Sequence, residues 1–282
     1  MNQIPPSFDR SIAAYYDQAP EETRLEQLPF VLEEIRTREL IQRHAPAPPA
    51  TVLDVGGGAG AYAMWLTEVG YAVHLLDASP RLVAEARRRA ASLPRPLASC
   101  QVGDARRLDF ADSCADIVLL LGPLYHLTDA PDRALALGET FRVLKPGGLL
   151  FAAVISRYAS ALNGMSRDLF QDPRFRSIVE ADLPEGQHLN PTERLDYFTT
   201  AYFHRPEDLR AEALGAGFDV EGVYGLEGPG WLLPDLAARW ADPRQRSDLL
   251  RLAGQLETES SILGISAHLL AVARRPSRLQ AA

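Results

Sequence analysis

The sequence predicts an α/β fold in which a doubly wound parallel sheet is flanked by helices. Three observations carry that expectation. Thr51-Val-Leu-Asp-Val-Gly-Gly-Gly-Ala-Gly60 runs a short apolar strand into a glycine-rich turn. Strand-like and helix-like segments then alternate at short spacing over residues 51–155. The second and third strand segments close on acids, Asp77 and Asp104, at the edge where such sheets bind ligands.

Val52, Leu53 and Val55 suit a strand buried on both faces. Gly56, Gly58 and Gly60 lack a Cβ, so the turn can be tight and its backbone can lie against a ligand. Residues 61–69 read as a helix whose first N–H groups and dipole face the same point. Gly56, Gly58 and Ala61 satisfy a dinucleotide fingerprint, with Asp77 as the acid about 20 positions on.

The later segments separate the readings. The spacing predicts a second strand over 71–77, a helix over 80–91 and a third strand over 97–102, followed by Gly103-Asp104-Ala105. Ala115-Asp-Ile-Val-Leu-Leu-Leu-Gly122 and Phe141-Arg-Val-Leu-Lys-Pro-Gly-Gly-Leu-Leu-Phe151 complete the series. With Asp54-x-Gly56-x-Gly58-x-Gly60 these segments, in this order over roughly the first 155 residues, resemble the class I S-adenosylmethionine (SAM) methyltransferases. The resemblance implies a Rossmann-like seven-stranded sheet of order 3-2-1-4-5-7-6, its last strand antiparallel. It also implies SAM as cofactor, S-adenosylhomocysteine as product and in-line methyl transfer.

Carried onto this chain, it implies cofactor contacts from Tyr16, Asp54, Gly56, Gly57, Gly58, Gly60, Asp77, Ala78, Asp104, Ala105 and Leu121. Asp77 would take the ribose, because an ionised carboxylate accepts from two donors. Asp104 and the Ala105 N–H would take the adenine, and the Leu121 carbonyl the amino group. Asp54 would orient the glycine loop or meet the amino group through water. An aromatic flap is expected from Tyr15 or Tyr16. His126, after the fourth strand, has the reference pKa of a general base at neutral pH and is the candidate catalytic residue. Tyr125, His188, Tyr197 and Tyr202 are the candidate substrate contacts.

The 282 residues are 46% hydrophobic, enough for a sizeable core. A formal charge of −8 with no basic stripe argues against DNA or tRNA as substrate. Cys100 and Cys114 lack metal-ligand spacing and read as reduced thiols; no metal is expected. The start shows no signal pattern and no run reaches membrane-spanning length, so a cytoplasmic protein without membrane partners, monomer or homodimer, is expected.

The domain plan is a helical cap over 1–48, a SAM-binding core over 49–155 and a helical lid over 156–205. Residues 206–224 and 264–275 complete the core sheet, with a second helical insertion over 225–263. In the cap, Leu25, Leu28, Val31, Leu32, Ile35 and Leu40 form one stripe of a helix expected over 23–44. So long an interruption as 156–205 is usually functional, and its end is rich in aromatic residues as small-molecule pockets are. Glu227-Gly-Pro-Gly-Trp231 reads as a turn beside that pocket, and the tail over 274–282 as frayed. The expected activity is methyl transfer to a small-molecule acceptor. An NAD(P)-dependent oxidoreductase and a SAM-binding protein without catalysis are the alternatives; the first leaves Asp104 and Lys145-Pro-Gly-Gly148 without a role.

Overall fold

A computed structural model describes residues 10–192 and 194–277. Helices α1 (Arg10–Gln18) and α2 (Phe30–His44) precede the sheet, joined through a 3-10 turn at Glu21–Glu26. The single helix expected over 23–44 is thus two pieces. Pro29 accounts for the break, because it offers no N–H and forces Leu28 out of helical geometry.

The core follows as β1 (Thr51–Val55), α3 (Ala61–Val69), β2 (Ala72–Asp77), α4 (Pro80–Ala90), β3 (Ser99–Val102) and β4 (Ala115–Leu120). The short α5 (Pro123–His126), α6 (Ala130–Val143) and β5 (Leu144–Ile155) complete the first half. Next come α7 (Ala159–Ser166), α8 (Pro173–Glu185) and a small hairpin, β6 (Gln187–His188) with β7 (Ala201–Tyr202). The chain ends in α9 (Pro206–Gly215), β8 (Asp219–Gly225), α10 (Leu236–Ala241), α11 (Pro243–Leu256) and β9 (His268–Arg274).

Seven strands form one sheet in the order β3-β2-β1-β4-β5-β9-β8. Counted along that sheet alone this is 3-2-1-4-5-7-6, and β9 runs antiparallel to both neighbours, as expected. Alternation sorts the side chains. Val52, Leu119, Phe151 and Val272 face α2 and α3 through Leu40, Ile41, Ala63 and Leu66. Leu53, Val118, Leu150 and Ala271 face α6 and α9 through Leu137 and Leu209. Central strands buried on both sides need the near-continuous apolar runs seen in β4, β5 and β9.

The hairpin β6–β7 lies in a segment where the sequence pattern shows little β character. Two residues per strand are too few for a period to register. Arg274 is still paired in β9, and the Arg275 guanidinium donates to the Leu144 carbonyl, so fraying does not begin at 274. Residues 278–282 lie outside the described residues. Both cysteines are free, and no helix among the described residues is long and apolar enough to cross a membrane.

Candidate active site

The parallel sheet brings the ends of β1, β2, β3 and β4 to one edge, and the glycine loop folds over it. Gly56 has φ +75°, and a Cβ there would meet the Pro123 ring at 2.6 Å. Its N–H donates to the Leu76 carbonyl at 2.7 Å, pinning the loop to β2. Gly58, at φ +55°, has nothing closer than 4.0 Å to the position of a Cβ. Its backbone therefore presents a bare face to a cavity of about 280 Å³. Gly60 caps α3 in a left-handed conformation and, unlike Gly56, Gly57 and Gly58, does not line that cavity.

Asp54 lies beneath the loop at 1% exposure. A Cβ on Gly57 would stand 2.7 Å from Asp54 Oδ2, which has no hydrogen-bond partner among the described residues. Burial and then the nearby Asp77 push its pKa to about 7. Asp77 Oδ2 accepts from the Gly58 N–H and Oδ1 from the Ser79 N–H, both at 2.8 Å. Burial outweighs these bonds, and the Asp77 carboxyl sits at about 6. Ala78, Ala105 and Leu121 line the same cavity.

Asp104 is more heavily engaged than the sequence reading assumes. Arg106 grips it through Nη2–Oδ2 at 2.6 Å and Nε–Oδ1 at 3.0 Å, and also pairs with Asp132. A guanidinium two residues along thus shares the carboxylate expected to face adenine.

A second cavity, about 650 Å³, adjoins the first, and Tyr16, Glu21, Arg24 and Tyr125 line both. Tyr16 bonds through its hydroxyl to His126 Nε2 at 2.6 Å, so the candidate flap and the candidate base form a pair. The Phe198 ring stacks on His126 at 5.9 Å. Its backbone holds φ +67°, a conformation rare for side-chain-bearing residues, at the cavity wall.

Of the four candidate substrate contacts, Tyr125 and Tyr197 line the second cavity, while His188 and Tyr202 line neither. His188 is fully buried, held by Asp182 at 2.9 Å and the Tyr197 carbonyl at 2.8 Å, and stacked on Phe203. Tyr202 lies under the Arg133 guanidinium, 3.9 Å from its ring centre. Both side chains are spent on internal packing, which removes them from the candidate substrate wall.

The sequence reading did not single out a buried charged cluster at the partition between the cavities. Arg24 donates to Glu21 at 2.8 Å and to Glu33 at 2.7 Å. Glu33 Oε2 is 3.5 Å from His268 Nδ1, which bonds Glu227 Oε1 at 2.6 Å. Glu33 faces the first cavity; Glu227 and His268 face the second. The only advance signal was the Glu227–Trp231 turn, which does border the pocket, with Trp231 Nε1 donating to the Ile265 carbonyl.

The family described as "Methyltransferase domain" matches residues 53–152. The ubiquinone/menaquinone biosynthesis C-methyltransferase UbiE of Acidiphilium cryptum is 38% identical, over 68% of this chain and 75% of its own. The chain belongs to the class I SAM-dependent methyltransferases. A ubiquinone biosynthesis O-methyltransferase of Paramagnetospirillum magneticum is 34% identical over 41% of this methyltransferase and 45% of the relative. A solved SAM-dependent methyltransferase from Methanosarcina mazei shares the fold, with TM-score 0.58, 18% identity and coverage of 85% and 98%.

SAM is accordingly the cofactor of this methyltransferase, and the residues at the first cavity fit it. The open face at Gly58 is a cradle that a Cβ would fill. The unpartnered Asp54 oxygen supplies an acceptor for a cationic ligand.

Proposed function

We propose that this methyltransferase binds SAM in the smaller cavity and transfers its methyl group to a small aromatic acceptor in the larger one. The observation that carries this reading is the wall shared by the two cavities, formed by Tyr16, Glu21, Arg24 and Tyr125. A donor and an acceptor on either side of it would meet without crossing bulk water, which favours alignment.

In this reading Gly56, Gly57 and Gly58 present backbone to the cofactor, Asp77 and Ala78 take the ribose, and Ala105 offers its N–H to the adenine. Asp104, which accepts from both the backbone N–H and the guanidinium of Arg106, contributes together with that arginine. Asp54 meets the amino group through water, alongside the Leu121 carbonyl, and Tyr16 closes over them. SAM supplies a methyl already made electrophilic by its sulfonium. The chain's task is to hold the acceptor in line and dry.

Aromatic rings line the larger cavity, including Tyr15, Phe30, Tyr125, Tyr197, Phe198 and Trp231. Such walls suit a flat apolar ligand. The relatives' names include both carbon and oxygen methylation in quinone biosynthesis, which supports a phenol- or quinone-type acceptor. Residues 156–205 and 225–263 act as covers: Ser160 and Phe198 come from the first, Glu227 and Trp231 from the second.

Calorimetric titration with SAM, S-adenosylhomocysteine and NADH tests the cofactor site; binding of NADH alone would sink it. Labelled SAM incubated with a panel of phenols and hydroquinones tests the acceptor. Tight SAM binding with no transfer to any of them would favour a protein that binds SAM without catalysis.

A further inference from the structure

The larger cavity contains one side chain arranged to take a proton. His268 begins β9, and the antiparallel register sets it beside Ile155 at the tip of β5, so both open on that cavity. Glu227 fixes it twice over. Oε2 accepts from the His268 backbone N–H at 3.0 Å, and Oε1 bonds Nδ1 at 2.6 Å. With Nδ1–H donated to a carboxylate, the ring is held in one tautomer and Nε2 becomes its acceptor. Nε2 has no hydrogen-bond partner among the described residues, and it is not among their buried unpartnered atoms, so it has access to the cavity.

Resting on the methyltransferase reading above, we propose that His268, oriented by Glu227, is the general base for an acceptor bearing an aromatic hydroxyl. The acceptor's O–H bond breaks and its proton goes to Nε2. The oxygen's electron pair forms the bond to the methyl carbon as the sulfur–methyl pair returns to sulfur. A methyl ether, S-adenosylhomocysteine and an imidazolium result, and the imidazolium later gives its proton to solvent.

Three features favour His268 over His126. His126 Nε2 is already bonded to the Tyr16 hydroxyl, whereas His268 Nε2 is available. His268 Nδ1 lies 3.5 Å from Glu33, a residue of the cofactor-side wall, so the imidazole stands at the partition where the two ligands meet. The charges facing it are Glu227 from the turn after β8, Glu33 from α2 and Arg24 from the 3-10 turn. Burial opposes protonation of His268, but Glu33 and Glu227 more than offset burial and Arg24, and the imidazole is a stronger base than an ordinary histidine.

The test uses the whole protein saturated with S-adenosylhomocysteine and para-nitrophenol as probe, whose ionised form is coloured. The bound dye should ionise at lower pH than the free dye, by about tenfold or more in its ionisation constant. His268→Asn and His268→Gln should abolish that shift while S-adenosylhomocysteine affinity stays within about twofold. Glu227→Gln should shrink it at least about threefold, and this variant decides the matter if the histidine variants do not fold. The proposal is overturned if the dye does not enter the complex, if it ionises as in water, or if the variants keep the shift. A merely structural His268 would lower the melting temperature and leave the dye's titration unmoved. Failure of the unmodified protein to bind S-adenosylhomocysteine would instead strike the cofactor reading beneath it.

Discussion

The two cavities are built by different means. The smaller one rests on short runs at strand ends, the loop from Gly56 to Gly58, then Asp77-Ala78, Asp104-Ala105 and Leu121, closed over by side chains of α1, the 3-10 turn, α2 and α5. Its polar contacts are mostly backbone groups and carboxylates whose positions follow once the sheet is formed. The larger one is assembled from side chains of α1, α2 and its preceding turn, α5, α7, the loop between the hairpin strands β6 and β7, the turn after β8 and the start of β9. Its border with the smaller one is a chain of charges, Glu21–Arg24–Glu33–His268–Glu227, in which Glu33 faces the smaller cavity and His268 and Glu227 the larger. One site is therefore sensitive to backbone geometry and the other to charge balance, and the two should fail differently.

The sharpest break is at Gly56. An alanine there must hold φ +75° and place its Cβ 2.6 Å from the Pro123 ring. Because the clash is with a ring anchored in α5, the loop itself has to move. Gly56→Ala should weaken S-adenosylhomocysteine binding by about 2–3 kcal/mol, on the order of 100-fold. Calorimetry giving an affinity within threefold of the parent would show that the loop does not bear on the cofactor.

On the other side, Arg24→Met removes the cation from between Glu21 and Glu33. The Arg24 side chain is 23% exposed and that of Glu33 9%, so the loss falls short of that for a fully buried pair, about 2–3 kcal/mol of stability at pH 7. Burial raises the Glu33 pKa, but Arg24 and His268 more than offset it, leaving the carboxyl below its ordinary 4.5. A depressed pKa contributes stability above the unfolded value and loses it as pH falls through the folded one. The gap between parent and variant in urea denaturation should therefore narrow as pH drops below 4.5. A gap that stays constant would mean the pair is not electrostatic in effect.

Asp54 gives an opposite pH signature. Its folded pKa of about 7 exceeds its ordinary 3.8, so across that window the folded chain holds a proton that the unfolded chain has lost. Stability without ligand therefore falls as pH rises from 4 to 7. A ligand ammonium group favours the ionised form, so SAM should bind roughly tenfold more tightly at pH 8 than at pH 6. Asp54→Asn should weaken both dependences, leaving the smaller fall in stability that the raised Asp77 carboxyl contributes. An unchanged pH profile of binding in that variant would move the amino group away from Asp54.

What the sequence made legible divides along the same line. The sheet order and the glycine loop could be read because each rests on local rules: apolar runs, glycine where φ is positive, acids at strand ends. The split at Pro29 was also written in the chain, but the hydrophobic stripe concealed it. His188 and Tyr202 were placed in the pocket on residue type and proximity alone, and residue type does not say which way a side chain turns. Asp182 and Arg133 claimed them. The Glu33–His268–Glu227 cluster had no local signature beyond the turn that carries Glu227. Its members are some 40 to 235 positions apart and meet only because α2 packs beside the start of β9. Arg106 was visible two places from Asp104, yet only geometry shows that it folds back onto the carboxylate.

The smallest expected effect is a control that should touch neither cavity. Gly138 lies on the exposed face of α6, and a Cβ there meets nothing within 4 Å. Its φ is not left-handed, so alanine fits without strain. Glycine in a helix interior costs about 0.5–1 kcal/mol relative to alanine, largely through the freedom of the unfolded chain. Gly138→Ala should therefore raise stability by that amount, measured by urea denaturation, with S-adenosylhomocysteine and para-nitrophenol titrations unchanged. If either titration moves, α6 transmits strain to the sheet edge, and the separation drawn between the cavities and the supporting helices would need to be redrawn. If stability falls instead, the helix at 138 is held by something other than its own backbone preference.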